Sequence, residues 1–303
     1  MALSEMKIGI DLGGSKIEGI LLDGDGAVRL RERVATPQGD YPATLAAIHA
    51  LVLQLEQFAG VSCSVGIGMP GTHSRVSGRV KNSNSVCLND QPLHADLEQR
   101  IKRPLRFAND ADCFALSEAT DGAAGGAGSV FGVIVGTGTG GGIVVDGKLL
   151  SGPNGIAGEW GHNPLPWPGP DELPGAPCYC GKKGCIETWL SGPGMARDHL
   201  EVTGEHADAP GIASAAASGQ DTARDTLARY ADRMARALAS VINIIDPEVI
   251  VLGGGMSNVD FLYQAVPQCW GDYVFSDRVD TRLLRARHGD SSGVRGAAWL
   301  WPD

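Results

Sequence analysis

Apolar positions along the chain follow two rhythms. Short aliphatic runs closed by Gly or Pro read as buried strands, and a 3.6-residue spacing reads as amphipathic helix. Residues 7–12 (KIGIDL) form a strand pattern that Gly13-Gly14 breaks and residues 17–22 resume, before the turn Asp23-Gly24-Asp25-Gly26; this predicts a β-hairpin. Residues 42–58 set Leu45, Ile48, Leu51, Val52, Leu55 and Phe58 on one helical face. Strands are predicted at 65–69 and 105–108, the second running into Asn109-Asp110 and a helix to about residue 118. A long helix over 223–245 aligns Leu227, Tyr230, Met234, Leu238, Val241 and Ile245, and Asp246-Pro247 stops it. A strand over 249–252, the loop Gly253-Gly254-Gly255, a further helix and a last helix over 291–301 complete the series. Strands alternating with helices predict an α/β fold.

Residues 131–147 (FGVIVGTGTGGGIVVDG) align without a gap on residues 8–24 (IGIDLGGSKIEGILLDG). The identities are Gly9, Gly13, Gly19, Ile20, Asp23 and Gly24 with Gly132, Gly136, Gly142, Ile143, Asp146 and Gly147. Both segments share a strand–glycine turn–strand plan, which we read as an internal duplication. The Gly/Ala-rich segment 121–129 is the best candidate domain boundary. From 150 to about 194 no periodicity is visible, and a stretch of that length inside a compact domain needs a staple.

Glycine is abundant, 43 of 303 residues, without a collagen period. The net charge of −10 and the absence of a basic run argue against nucleic acid as a partner. No apolar stretch reaches membrane-spanning length, so no membrane association is expected. The first ten residues lack a secretory pattern, and seven cysteines, an odd number, fit a reducing cytoplasm.

Three glycine loops each follow an aliphatic run: Asp11-Leu12-Gly13-Gly14-Ser15-Lys16, Gly136-Thr137-Gly138-Thr139-Gly140 and Gly253-Gly254-Gly255. Such loops let backbone N–H groups point at a phosphate, and Ser15, Lys16, Thr137 and Thr139 add donors. Asp11, at a strand end, is placed to hold the magnesium of a nucleotide. Any one loop also reads as an ordinary tight turn, and none has the pattern of a P-loop or of a dinucleotide fingerprint. Asn109-Asp110 reads either as a helix cap or as a carboxylate exposed at the carboxyl edge of a sheet, able to take a proton from a hydroxyl. Cys178, Cys180 and Cys185 lie close together among glycines, with His162 the nearest upstream fourth ligand. Structural zinc is the favoured reading, against a redox pair or unrelated thiols; three thiolates and one imidazole leave no open position for hydrolytic chemistry. Glu159 and Glu187 flank this segment, either as solvated acids or as carboxylates held to bind hydroxyls. Cys63, Cys87, Cys113 and Cys269 read as core.

Taken together these motifs resemble the ROK family of sugar kinases, within the actin-like ATPase superfamily. The resemblance rests on Asp11 to Lys16, Asn109-Asp110, Gly136 to Gly142, Gly158-Glu159-Trp160-Gly161-His162, Cys178 to Glu187 and Leu252 to Ser257. The segments 81–89, 161–167 and 288–293 are most similar to the bacterial fructokinase (mannofructokinase) branch, with N-acetylglucosamine kinases the nearest alternative. The resemblance implies two actin-like α/β domains around a central cleft that closes on sugar. They would be residues 1–120, with the helix at 291–303 packing back onto them, and 121–290 with a zinc-binding insertion. It further implies an ATP:hexose phosphotransferase, a fructokinase first and an N-acetylglucosamine, glucose or mannose kinase second. Asp110 would be the general base. Asn109, Glu159, His162 and Glu187 would hold sugar hydroxyls, His162 using its second ring nitrogen on zinc. Asp11, Gly13, Gly14, Ser15, Lys16, Gly136, Thr137, Gly138, Thr139 and Gly140 would bind Mg2+–ATP, with Gly254 and Gly255 near the adenosine. A homodimer is implied as well. Ser15 stands where the family usually has Thr, and Asp112 where Asn is common; on a helix Asp112 is expected to face away from Asp110. Two rivals are a ROK-type repressor, for which no DNA-binding segment is expected ahead of Asp11, and a non-catalytic sugar-binding regulator.

Overall fold

The computed structural model describes residues 6–301, without the side chain of Asp290. Its contacts gather the chain into two units. The first holds residues up to Gly126, Gly142–Ala157 and residues from Asp290 on; the second holds Ala127–Gly141 and Gly158–Gly289. The second copy of the hairpin is therefore divided between the units, whereas the resemblance implied 121–290 as one domain. Residues 302 and 303 of the expected last helix lie outside the described residues.

In the first unit, β1 (Lys7–Leu12), β2 (Lys16–Leu22) and β3 (Val28–Ala35) form an antiparallel meander. Helix α1 (Tyr41–Ala59) leads to β4 (Ser64–Met69), a two-residue pair β5 (Thr72–His73) and β6 (Val80–Lys81), α2 (Leu93–Ile101), β7 (Arg106–Asn109) and α3 (Asp110–Thr120). The sheet order is β3-β2-β1-β4-β7, with β1, β4 and β7 parallel. The apolar runs of β1 and β4 are buried throughout because helices cover them. β3 gave no strand signal: it is an edge strand whose VRLRERVA sequence is largely exposed, so burial imposes no apolar alternation. Phe58 is 58% exposed and does not share the buried face of α1.

The second sheet begins with β8 (Ser129–Val135), β9 (Thr139–Val145) and β10 (Lys148–Leu149). After a long irregular stretch come α4 (Ile186–Leu190), α5 (Gly192–Thr203), α6 (Ala209–Ala217), α7 (Asp221–Ile245), β11 (Val249–Gly253), α8 (Leu262–Cys269), β12 (Arg282–Arg285) and α9 (Ser292–Ala298). The order β10-β9-β8-β11-β12, with β8, β11 and β12 parallel, repeats the plan of the first sheet. β2 and β9 occupy matching positions of the sequence repeat, so the duplication is present as structure. Cys87 and Cys269, expected in the core, are only half-buried, whereas Cys63 and Cys113 are buried.

Helix α9 returns to the first unit and lies directly on the backbone of β4, where a Cβ on Gly66 would fall 1.9 Å from the Ala297 carbonyl oxygen. It is fastened there by Ser292 donating to the buried Glu118 (2.8 Å), by Arg295 paired with Asp121, and by Trp301 donating to the Val65 carbonyl (2.8 Å).

The irregular stretch before α4 is tied to α7. Arg233 and Arg236, both buried on that helix, reach Glu172 at 2.7 and 2.8 Å, and Arg236 also donates to the Trp167 carbonyl (2.8 Å). Burial by itself raises the Glu172 pKa, but the hydrogen bonds from Arg236 and Arg233 win and hold it at about 2 instead of 4.5. A lowered pKa means this stabilisation is complete above the unfolded value and disappears as pH falls from about 4.5 towards 2. Removing one partner of such a pair costs about 3 kcal/mol or more, because the charges left behind stay buried. Glu172→Gln is expected to lower the thermal midpoint at pH 7 by several degrees, with the gap to wild type narrowing as pH approaches 3. A gap that is constant with pH would show that the carboxylate charge is not the stabilising feature.

Candidate functional site

Within the first unit, Asp11 closes β1 and Asp110 follows β7, so both acids sit at the carboxyl edge of parallel strands. Burial, then the nearby charges of Asp110 and Glu18, raise the pKa of Asp11 to about 6 against the lowering effect of Lys16. Burial likewise raises Asp110, against the backbone N–H of Ala111 donating to its carboxylate (2.8 Å). Asn109 is the N-cap of α3: it accepts from Ala111 N–H (2.9 Å) and donates to the Gly71 carbonyl (3.0 Å). The capping reading of this dipeptide is what the geometry shows, Asn109 fixing the backbone from which Asp110 projects.

The first glycine loop turns tightly, with Gly13 N–H donating to the Lys16 carbonyl (3.0 Å). Gly14, Ser15 and Lys16 are exposed. Thr36 anchors the loop from β3's end by donating its hydroxyl to the Gly13 carbonyl (2.7 Å). Glu18, the cross-strand partner of Asp11, is buried and bridged to Arg31 and Arg33 at 2.5 Å each. Sequence reasoning missed Glu18; its signal is a lone acid inside the apolar run 17–22.

Within the second unit, the turn over residues 158–162 is bound to the second glycine loop. Trp160 packs edge-on against Phe131 (5.6 Å) and donates to the Gly140 carbonyl (3.1 Å). Glu187, in the first turn of α4, accepts from Thr139 N–H at 2.9 Å. A Cβ on Gly138 would lie 2.8 Å from that carboxylate, so a side chain there would displace Glu187. Thr139 buries its hydroxyl with no partner among the described residues, while Thr137 is exposed. Glu159 is exposed. Gly254 (φ 77°) brings the third loop against the end of β8, where a Cβ would meet the Val135 carbonyl oxygen at 2.4 Å. A cavity of about 610 Å³ opens between these two loops and helices α5 and α6, walled by Gly136, Thr137, Pro193, Ala213, Gly255 and Met256.

The ligand atoms of His162, Cys178, Cys180 and Cys185 all lie within 4.8 Å of one another. His162 Nδ1 is 3.6 Å from Cys178 Sγ, and Cys180 Sγ is 3.6 Å from Cys185 Sγ. A tetrahedral zinc, with bonds of ~2.3 Å to sulfur and ~2.0 Å to nitrogen, would set such pairs roughly 3.5–3.8 Å apart, so the donor set fits. The other imidazole nitrogen, Nε2, is 2.9 Å from the Tyr179 hydroxyl. Partial desolvation of the hydroxyl, then the charges of Glu187 and Glu159, push the phenol of the otherwise exposed Tyr179 up to about 12. Tyr179 too was missed; its only signal is an aromatic residue between two cysteines.

A model of the ROK family matches residues 7–303. The chain is 39% identical to the N-acetyl-D-glucosamine kinase of Vibrio vulnificus over 97% of this chain and 99% of that protein. Its structure is similar to that of a ROK hexokinase from Thermus thermophilus (TM-score 0.86, 32% identity, 97% of each chain). It is also similar to that of a ROK family glucokinase from Streptomyces griseus in complex with glucose and AMPPNP (TM-score 0.77, 29% identity, 97% and 98% of the chains). The fold is accordingly the two-domain α/β arrangement of the actin-like ATPases.

Metal analysis of dialysed protein is expected to return one zinc per chain. Cys180→Ser should lose it and lower the thermal midpoint, since metal binding in such a segment is folding free energy. Metal-free wild-type protein of undiminished stability would contradict the assignment.

Proposed function

Because the chain belongs to the ROK family, we propose that it is an ATP-dependent sugar kinase whose acceptor is N-acetylglucosamine. The observation that carries the acceptor is the 39% identity to N-acetyl-D-glucosamine kinases over nearly the whole of both chains. The fructokinase likeness of 81–89, 161–167 and 288–293 is thereby outweighed, and fructose becomes the second reading.

Phosphoryl transfer demands mainly positioning and charge neutralisation. Asp110 takes the proton from the sugar's primary hydroxyl; its raised proton affinity makes it a better acceptor than an ordinary carboxylate. Asn109, Glu159, His162 and Glu187 form the hydroxyl-holding set. The exposed Gly14, Ser15 and Lys16, with Gly13 and the second loop from Gly136 through Thr137, Gly138 and Gly140, supply donors for ATP phosphates; Asp11 orients the accompanying Mg2+. The buried Thr139 contributes its backbone through Glu187 rather than an accessible hydroxyl. The largely apolar cavity beside Gly255, with Gly254 shaping its loop, suits the adenosine. Zinc on His162, Cys178, Cys180 and Cys185 would be structural, holding the imidazole in place.

Asp110→Ala is expected to lower kcat by about 10²–10⁴-fold while sugar binding stays measurable by calorimetry. Activity within a few-fold of wild type would overturn the base assignment. A base must be ionised, and both Asp110 and its neighbour Asp11 are raised, so kcat/KM should fall on acidification at a pH above the usual carboxylate 3.8. Coupled ADP release against N-acetylglucosamine, glucose, mannose and fructose should give the highest kcat/KM for the first; a maximum for fructose would restore the fructokinase reading.

A further inference from the structure

His162 has a single N–H to offer. With Nδ1 turned to the thiols, the proton resides on Nε2, and that N–H donates to the Tyr179 hydroxyl at 2.9 Å. The two rings meet edge-on, at 88° and 5.0 Å between centroids. The sugar-kinase reading, on which this inference rests, gives the same N–H to a sugar hydroxyl. One N–H cannot serve both oxygens with good geometry.

We propose that Tyr179 is a displaceable occupant of the sugar-binding nitrogen, competing with a sugar hydroxyl for His162 Nε2–H. Two features make displacement easy. The side chain is 84% exposed, so rotating it away uncovers little packed surface. It also sits on a short turn closed by Gly181 N–H donating to the Cys178 carbonyl (3.0 Å), outside any helix or strand. In the sugar-free protein the phenol satisfies the imidazole and keeps its plane aligned with the thiols. Sugar binding then exchanges one hydrogen bond for another, so apparent affinity is weakened by the bond that is broken.

The test compares zinc-loaded wild-type protein with Tyr179→Phe, which removes only the hydroxyl. Calorimetric titration with N-acetylglucosamine and with fructose should show the variant binding its sugar roughly two- to tenfold more tightly, the range expected for one neutral hydrogen bond. KM for the sugar should fall in the same ratio, with kcat, KM for ATP and zinc content unchanged. In protein carrying 15N-histidine, the His162 Nε2–H resonance should differ between wild type and variant without sugar and coincide at sugar saturation. Equal or weaker sugar affinity in the variant, or resonances that stay apart at saturation, overturns the proposal while leaving the kinase reading intact. Wild-type protein that phosphorylates none of the sugars removes both.

Discussion

The second unit depends on holding residues 158–185 in one shape with no more regular structure than two single 3-10 turns and isolated β-bridges. Each ordered residue there costs about 1–2 kcal/mol of backbone entropy, and backbone pairing of the kind that offsets this elsewhere is sparse. Three sets of contacts take its place. The His162, Cys178, Cys180 and Cys185 atoms converge at the far end. Arg233 and Arg236 clamp Glu172 in the middle. Trp160 and Glu187 fasten the two ends to the second glycine loop. The last pair would couple chemistry to fold, because Glu187, proposed to hold sugar, also fixes the backbone of the loop proposed for phosphate.

This arrangement explains why the duplicated hairpins have diverged. The strands match position for position, since both must pack the same kind of sheet. The loops differ in their neighbours. In the first, Gly14, Ser15 and Lys16 are free to face a ligand. In the second, Thr139 is buried, its N–H is taken by Glu187, and the Gly136 carbonyl accepts from Gly192 N–H at 2.7 Å. Alignment of the repeat makes Lys16 and Thr139 equivalent; tertiary contacts give them different roles.

The sequence announces what burial or covalent chemistry dictates. Strands β1, β4, β8 and β11 are apolar because both faces are covered, and α7 shows its face over six turns. The cysteine spacing is legible because a metal site needs its donors close together. Elements without such a demand were silent: β3 is an exposed edge strand, and α5 and α6 follow a glycine- and alanine-rich course with weak contrast between faces. Nothing in the sequence marks Arg233 and Arg236 of α7 as buried, because no local pattern shows that Glu172 will come to meet them. Glu18 and Tyr179 were hidden for the same reason, their partners lying on another strand or across a turn. Short motif likeness weighs loops and pointed to fructose, whereas whole-chain identity weighs every position and favours the N-acetylglucosamine alternative.

The acids of the first unit make the last link between fold and chemistry. Asp11, Asp110 and Glu18 gather at one sheet edge in a chain already carrying a net charge of −10. Glu18 is neutralised by Arg31 and Arg33, so its charge is fixed in place and acts on Asp11 from across the strand pair. Asp11 is left with no such partner strong enough to offset burial; Lys16 lowers its pKa, but less than burial and the two acids raise it. That imbalance is unfavourable for the empty protein and useful for a kinase. Positive charge brought by a nucleotide's cation would relieve Asp11, and Asp110, raised by burial alone, would keep the high proton affinity that a base needs. Burial thus raises both carboxylates, and neighbouring acids add to it at Asp11, which is the difference the proposed roles would use.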